Sequence, residues 1–183
     1  MKKVLTIVLA LFSMAVSVNQ ATAAEGFVLP NMQVRSTSFE DGGVIPLKFT
    51  SHGDNIQPQF TITGAPATTV SYAVVLHDIE VALGGNTDDV THWVAWNISS
   101  PEIAEGALPA GSVNGNNIRG MPGYMGSGAP LADRFHHYVF EFYALSANLD
   151  LVEGASRADL MAAMQGKVVA KAAYVGRYAK AIP

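Results

Sequence analysis

Residues 123–145 read GYMGSGAPLADRFHHYVFEFYAL, a glycine-rich turn running straight into an alternating strand. Tyr124, Gly126, Gly128 and Pro130 build the turn. His136, Tyr138, Phe140 and Phe142 then share one face of the strand, because side chains alternate with period two. His136 and Tyr138 therefore point the same way, just beyond glycines that let backbone approach a ligand closely. An imidazole and a phenol converging on exposed backbone N–H groups suggest an anion pocket.

Outward from that stretch, both faces of the neighbouring strands read as apolar. Ser71 to Asp78 (SYAVVLHD) is apolar almost to its end, and Thr91 to Ile98 (THWVAWNI) is similar. Such runs suit buried central strands. Phe27 to Phe39 suggests two short strands, Asp41-Gly42-Gly43 a turn, Ile45 to Thr50 a strand, and Phe60 to Ile62 another. Residues 99–122, rich in Gly, Asn and Pro, form a long connection of the kind that carries function. One helix is expected late in the chain, with Ser156 as N-cap, Asp159 completing a capping box, Leu160, Met161 and Met164 as its apolar stripe, and Gly166 as its stop. Lys167 to Tyr178 reads as a last strand. About eight strands without βαβ alternation predict a mainly β chain of mostly antiparallel sheets.

The first residues read as a signal peptide. Met1-Lys2-Lys3 is basic, Val4 to Val18 is an apolar run, and Ala21-Thr22-Ala23 fits a signal peptidase site. Cleavage after Ala23, with Ala24 as the alternative, leaves a single domain over 24–183 in the periplasm or outside a bacterial cell. The apolar run is short for a membrane anchor. The whole chain has 11 basic and 15 acidic residues; without Lys2 and Lys3 the balance is 9 − 15 = −6. That charge argues against nucleic acid and against docking on anionic lipid. The chain has no cysteine, which excludes disulfides, thiolate metal sites and a cysteine nucleophile. Its 14% charged and 49% hydrophobic content excludes disorder.

Three places carry candidate chemistry. Asp78 ends a buried strand, where a turn-forming role and a site role both stay open. His92 opens another strand beside Trp93. His136 and Tyr138 form the third. His77 and His137 should face away from Asp78 and His136 respectively. His52 lies in a polar loop, where a site role and simple solvation both stay open.

These segments together resemble the phosphatidylethanolamine-binding protein (PEBP) family, in its bacterial Raf-kinase-inhibitor-like branch. GYMGSGAP…FHHYVFEFYAL is similar to the family's Y-x-G-x-x-P-P loop and G-x-H-x-Y strand. THWVAWNI matches its H-W strand. HGDNIQPQFTITGAP resembles D-G-x-N-x-S-P-x-L-x-W-x-G-x-P, and VVLHDIEVA stands where D-P-D-A-P is usual. The resemblance implies a large central antiparallel sheet packed on a smaller one, one or two helices, and a small anion pocket near one end of the central sheet. Carried over position by position, the pocket residues are Asp78, His92, Tyr124, Gly126, Gly128, His136 and Tyr138, with Pro130 shaping the loop. The departures are Ile79 and Ala82 in place of two prolines, Glu80 in place of the second Asp, Ala129 before Pro130, and Arg134 in place of a glycine.

The expected function is a binding protein for a small anion such as phosphate or a phosphoethanolamine headgroup, without catalysis and without a cofactor. A protein-interaction module inhibiting a hydrolase or kinase-like partner is the alternative. A hydrolase using Asp78, His92 and His136 as acid, base or metal ligands is less favoured. A homodimer stays open, since no exposed apolar stripe can be assigned from sequence.

Overall fold

In a computed structural model, residues 30–129 and 134–180 are described. They form nine strands and one helix. The strands are β1 (Gln33–Arg35), β2 (Gly43–Val44), β3 (Phe60–Thr63), β4 (Ser71–Asp78), β5 (Val90–Ile98), β6 (Glu102–Ile103), β7 (Val113–Asn114), β8 (His136–Leu145) and β9 (Val168–Tyr178); the helix is α1 (Arg157–Ala163). A three-stranded sheet has the order β1-β3-β6, and a six-stranded sheet the order β2-β9-β8-β4-β5-β7. Pairing is antiparallel except at one edge, where β2 runs parallel to β9.

The layers explain the apolar runs. On one face of the large sheet, Phe140, Phe142, Leu76 and Trp93 pack against Phe60 and Ile62 of the small sheet. Phe60 lies 4.9 Å from Phe140 and 5.0 Å from Phe142, ring centre to ring centre. On the other face, Ala73, Val75, Val94 and Trp96 are covered by Leu160 and Met164 from the α1 segment and by Leu149. β4 sits between both layers, so every one of its residues is buried. β8 alternates only as far as Glu141 and is buried throughout from Phe142 onward. The helix carries the expected capping box: Ser156 Oγ accepts from Asp159 N–H at 3.2 Å, and Asp159 Oδ2 accepts from Ser156 N–H at 2.9 Å.

Two expectations need correction. The strand expected over Ile45–Thr50 is a 3-10 turn, Leu47–Phe49. Pro46 has φ −60°, and its carbonyl accepts the Phe49 N–H at 2.9 Å, so the proline starts a turn instead of an edge strand. Ile45, Leu47 and Phe49 alternate with Pro46, Lys48 and Thr50 as in a strand, but Leu47 is exposed while Ile45 and Phe49 are buried, a split that one strand face would not show. Within Phe27–Phe39 the described residues hold one strand, β1. The connection 99–122 is not wholly irregular either, since β6 extends the small sheet and β7 the large one. Residues 1–23 lie outside the described residues. Among the described residues, no helix is long and apolar enough to cross a membrane.

Candidate functional site

The ends of β4, β5 and β8 meet at one corner of the large sheet. Asp78 pairs across the ladder with Tyr138 on one side and Val90 on the other. Between Leu76↔Trp93 and His77↔Thr91 the register shifts, because β5 carries one extra residue, His92. Simple alternation would put His92 and Trp93 on opposite faces. The bulge lets Trp93 join the inter-sheet core while His92 packs edge-on against Tyr138, with ring centres 5.1 Å apart.

A cavity of about 270 Å³ opens at this corner, lined in part by Ser51, His52, Asp78, His92, Arg119 and Gly128. Asp78 is 2% exposed and holds two donors: His136 Nδ1–H at 2.8 Å from Oδ2 and the Glu80 N–H at 3.0 Å from Oδ1. His136 and Tyr138 are buried behind this wall. The Tyr138 hydroxyl is fully buried and makes no hydrogen bond of good geometry, although Asp78 and the backbone of Gly128 and Ala129 stand close enough to act on it. Burial first, then the nearby Asp78 charge, pushes its pKa upward, so it stays a neutral donor.

His92 has a fixed tautomer. Its Nδ1 lies 3.0 Å from the Met125 carbonyl and 3.2 Å from that of Gly126, so Nδ1 carries the proton and Nε2 the lone pair. Burial holds its pKa below the usual histidine value, outweighing those carbonyls and the Asp78 charge, which act to raise it. The wall therefore offers one imidazole acceptor and a carboxylate, with the Tyr138 phenol behind it and not among the lining residues.

Other candidate residues play different parts. The Tyr124 hydroxyl donates to the Phe49 carbonyl at 2.6 Å, and its ring stands edge-on to Trp93. Tyr124 borders a neighbouring hollow of about 300 Å³ with Asn55 and Gln57, and is not among the residues lining the histidine cavity. The Gly126 N–H is already held by Asn55 Oδ1 at 2.7 Å, so it is not free for an anion. A Cβ on Gly126 would stand 2.5 Å from the Phe49 carbonyl, and one on Gly128 2.8 Å from Ser51 Oγ. These glycines let the 124–129 loop pack on the 49–51 segment, a reason for glycine that needs no ligand. Pro130 lies outside the described residues.

Glu80, in the place of the family's second Asp, completes a polar cluster. One oxygen accepts from His137 Nδ1–H at 2.6 Å and the other from the His137 N–H at 2.7 Å. Burial acts to raise the Glu80 pKa, but these bonds and the nearby His136 bring it below the ordinary carboxylate value. One atom each of Asp78, Glu80 and His136 falls within a 4.8 Å circle, the spacing of a metal set. Each of the four carboxylate oxygens already accepts a protein hydrogen bond, which explains the cluster without an ion. Ser51 and Arg119 joined the cavity without being singled out as site residues, and His52, whose site role the sequence left open, lines it too. The signal for Arg119 was present: it is the lone Lys or Arg in residues 99–122.

The family model for phosphatidylethanolamine-binding proteins matches residues 35–179. The chain belongs to that family. A UPF0098 protein of Methanothermobacter thermautotrophicus is 37% identical over 154 residues, spanning 80% of this chain and 98% of its own. One from Aquifex aeolicus is 34% identical over 157 residues, spanning 80% and 88%. Among solved structures, the phosphatidylethanolamine-binding protein homologue of Chlamydia trachomatis has a TM-score of 0.75 at 32% identity, covering 83% of this chain and 99% of that one. YbcL of E. coli, described as a member of the mammalian PEBP family, has a TM-score of 0.74 at 27% identity, covering 82% and 99%. The two-sheet architecture with one helix near the C-terminus is thus that of the family. The relatives include archaeal chains, so membership in the PEBP family is not a mark of a bacterial source.

Proposed function

We propose that this PEBP-family protein binds a small phosphorylated anion in the cavity between Asp78, His92 and Arg119, and performs no chemistry on it. The observation that carries this reading is the cavity at His92 and Arg119, backed by the buried, neutral Tyr138 hydroxyl, which makes no hydrogen bond of good geometry. A buried donor left unpaired costs about 1–3 kcal/mol, which a ligand oxygen would recover. The His92 Nε2 lone pair suits a protonated phosphate oxygen, or becomes a second donor when a bound anion draws a proton onto it. Either route takes up a proton on binding or selects the protonated ligand, so binding strengthens toward acid pH. A binding role, not a hydrolytic one, is supported by the serines: among the described residues no serine hydroxyl bonds to a histidine, and Ser51 Oγ donates to the Ser127 carbonyl at 3.2 Å.

Calorimetric titration with inorganic phosphate at pH 6 and pH 8 tests this. Wild type binds more tightly at pH 6, and Tyr138→Phe, which removes one oxygen and leaves the ring, weakens binding about tenfold. No heat in wild type at either pH rejects the reading.

A second reading, an inhibitor of a hydrolase or kinase-like partner, rests on Ile79, Ile118 and Met121. All three are about half exposed; Ile118 lines the cavity, and Ile79 directly follows Asp78. A pull-down in which Ile118→Asp loses a partner held by wild type would favour it. Export is proposed from the sequence of residues 1–23; a mature chain beginning at Ala24 is the expected result of N-terminal sequencing, and one beginning at Met1 refutes it.

A further inference from the structure

The cavity is larger than a phosphate. Its roughly 270 Å³ corresponds to about nine waters. A ligand seated by its phosphoryl group at the inner wall, in front of Tyr138, therefore extends toward the mouth, and what the mouth presents decides what the extension carries. Arg119 stands there. It occupies a tight turn in which the Asn117 side chain accepts the Arg119 N–H at 2.9 Å and the Asn117 carbonyl accepts the Gly120 N–H at 2.9 Å. The turn is pinned to β5 by the Ile118 N–H on the Thr91 carbonyl, at 2.8 Å. Asn117 itself is buried and also donates to the Gly123 carbonyl. The backbone under Arg119 is thus fixed, while its side chain is exposed and its guanidinium has no ion-pair or hydrogen-bond partner among the described residues.

Resting on the anion reading above, we infer that Arg119 is a specificity-determining residue, selecting phosphomonoesters whose second group is a carboxylate over aminoalkyl phosphates. A guanidinium is charged at every accessible pH and offers a planar pair of donors that fits a carboxylate. An ammonium in the same place meets a like charge. Asp78, the carboxylate of this cavity, does not offset this at the mouth: it is buried at the inner wall and already holds two donors. The class singled out is small and doubly anionic, with a phosphoryl group at one end and a carboxylate at the other. It differs at its outer end from an ethanolamine headgroup.

Phosphoglycolate and phosphoethanolamine form a near-isosteric pair of probes, with inorganic phosphate as reference. Wild type binds phosphoglycolate about tenfold more tightly than phosphoethanolamine at low salt, from one exposed ion pair gained and one like-charge contact avoided. Arg119→Gln brings the two within about twofold, and Arg119→Glu inverts the order. Phosphate itself changes less than phosphoglycolate in both variants. Added salt shrinks the wild-type preference, since the mouth is open to solvent. A wild type that prefers phosphoethanolamine, or a preference that survives Arg119→Gln, overturns the inference and leaves the anion reading standing. Binding of inorganic phosphate but of neither ester does the same. Failure of all three to bind defeats the anion reading itself and this inference with it.

Discussion

The two faces of one sheet corner use similar residues to opposite ends. His77 and Asp78 are neighbours on β4 and face opposite ways, as do His136 and His137 on β8. On the face away from the cavity, Asp89 takes His77 Nδ1–H at 2.6 Å on one oxygen and an Arg157 N–H on the other. Glu141 stands 3.6 Å from His77 Nε2. That network ties helix α1 to the sheet and leaves His77 Nε2 buried without a hydrogen bond. On the cavity face the Asp78–His136 pair is equally well made, yet it leaves over a phenol with no hydrogen bond of good geometry and an imidazole lone pair. Histidines and carboxylates are thus no guide to a site by themselves. The face away from the cavity also leaves capacity unused, at His77 Nε2 and Trp96 Nε1; what sets the cavity face apart is an imidazole lone pair on the cavity wall with a guanidinium at the mouth that is unpaired among the described residues.

The largest effect expected from breaking this contrast is on stability. Asp78→Ala strands the buried His136 N–H and the Glu80 N–H, and should cost about 3 kcal/mol or more in urea unfolding. Asp89→Ala, across the sheet and partly solvated, should cost about half that or less, with phosphate affinity unchanged. Next comes Tyr138→Phe, which lowers phosphate affinity about tenfold while stability holds or rises, since an unpaired buried oxygen is removed. Tyr143→Phe, on the other face, leaves affinity intact; burial and then the Glu141 charge push the Tyr143 pKa up to about 12, so it too is a neutral phenol at working pH. Ser156→Ala, which removes the cap of α1, should cost about 1 kcal/mol without touching binding.

The smallest effect is a slope. His92 has its folded pKa lowered by burial, so below its unfolded value of about 6.5 the unfolded chain holds the extra proton. Stability from this group is complete above that value, falls as the pH drops through it, and levels off below the folded pKa. His92→Asn should reduce the loss of urea midpoint between about pH 7.5 and about pH 5.5. Saturating phosphate should also reduce that loss in wild type, because the bound anion favours protonated His92.

Much of this architecture was legible in the sequence because it follows period-two patterning. β4 and β8 begin and end where the apolar runs do, and the capping box at Ser156 and Asp159 is local chemistry. The opposed pairs His77/Asp78 and His136/His137 follow from alternation alone. The turn at Leu47–Phe49 was hidden because Ile45, Leu47 and Phe49 alternate like a strand. The bulge at His92 was hidden because register belongs to a pair of strands, not to one segment. Tyr124 and the Gly126 N–H looked available because their partners, the Phe49 carbonyl and the Asn55 side chain, lie about seventy residues away in sequence. Arg119 was visible as a lone cation but had no location until β5 and its connection were folded.

The most direct test of the account is a phosphate titration followed by long-range ¹H–¹⁵N NMR of the histidine rings. The free protein should show His92 as the neutral Nδ1–H tautomer. Phosphate should then move the His92 and His136 ring signals saturably and leave His77 and His137 in place. Ring signals that stay fixed on the cavity face, or a response centred on His77, would contradict the assignment of ligand binding to the Asp78–His92–Tyr138 face.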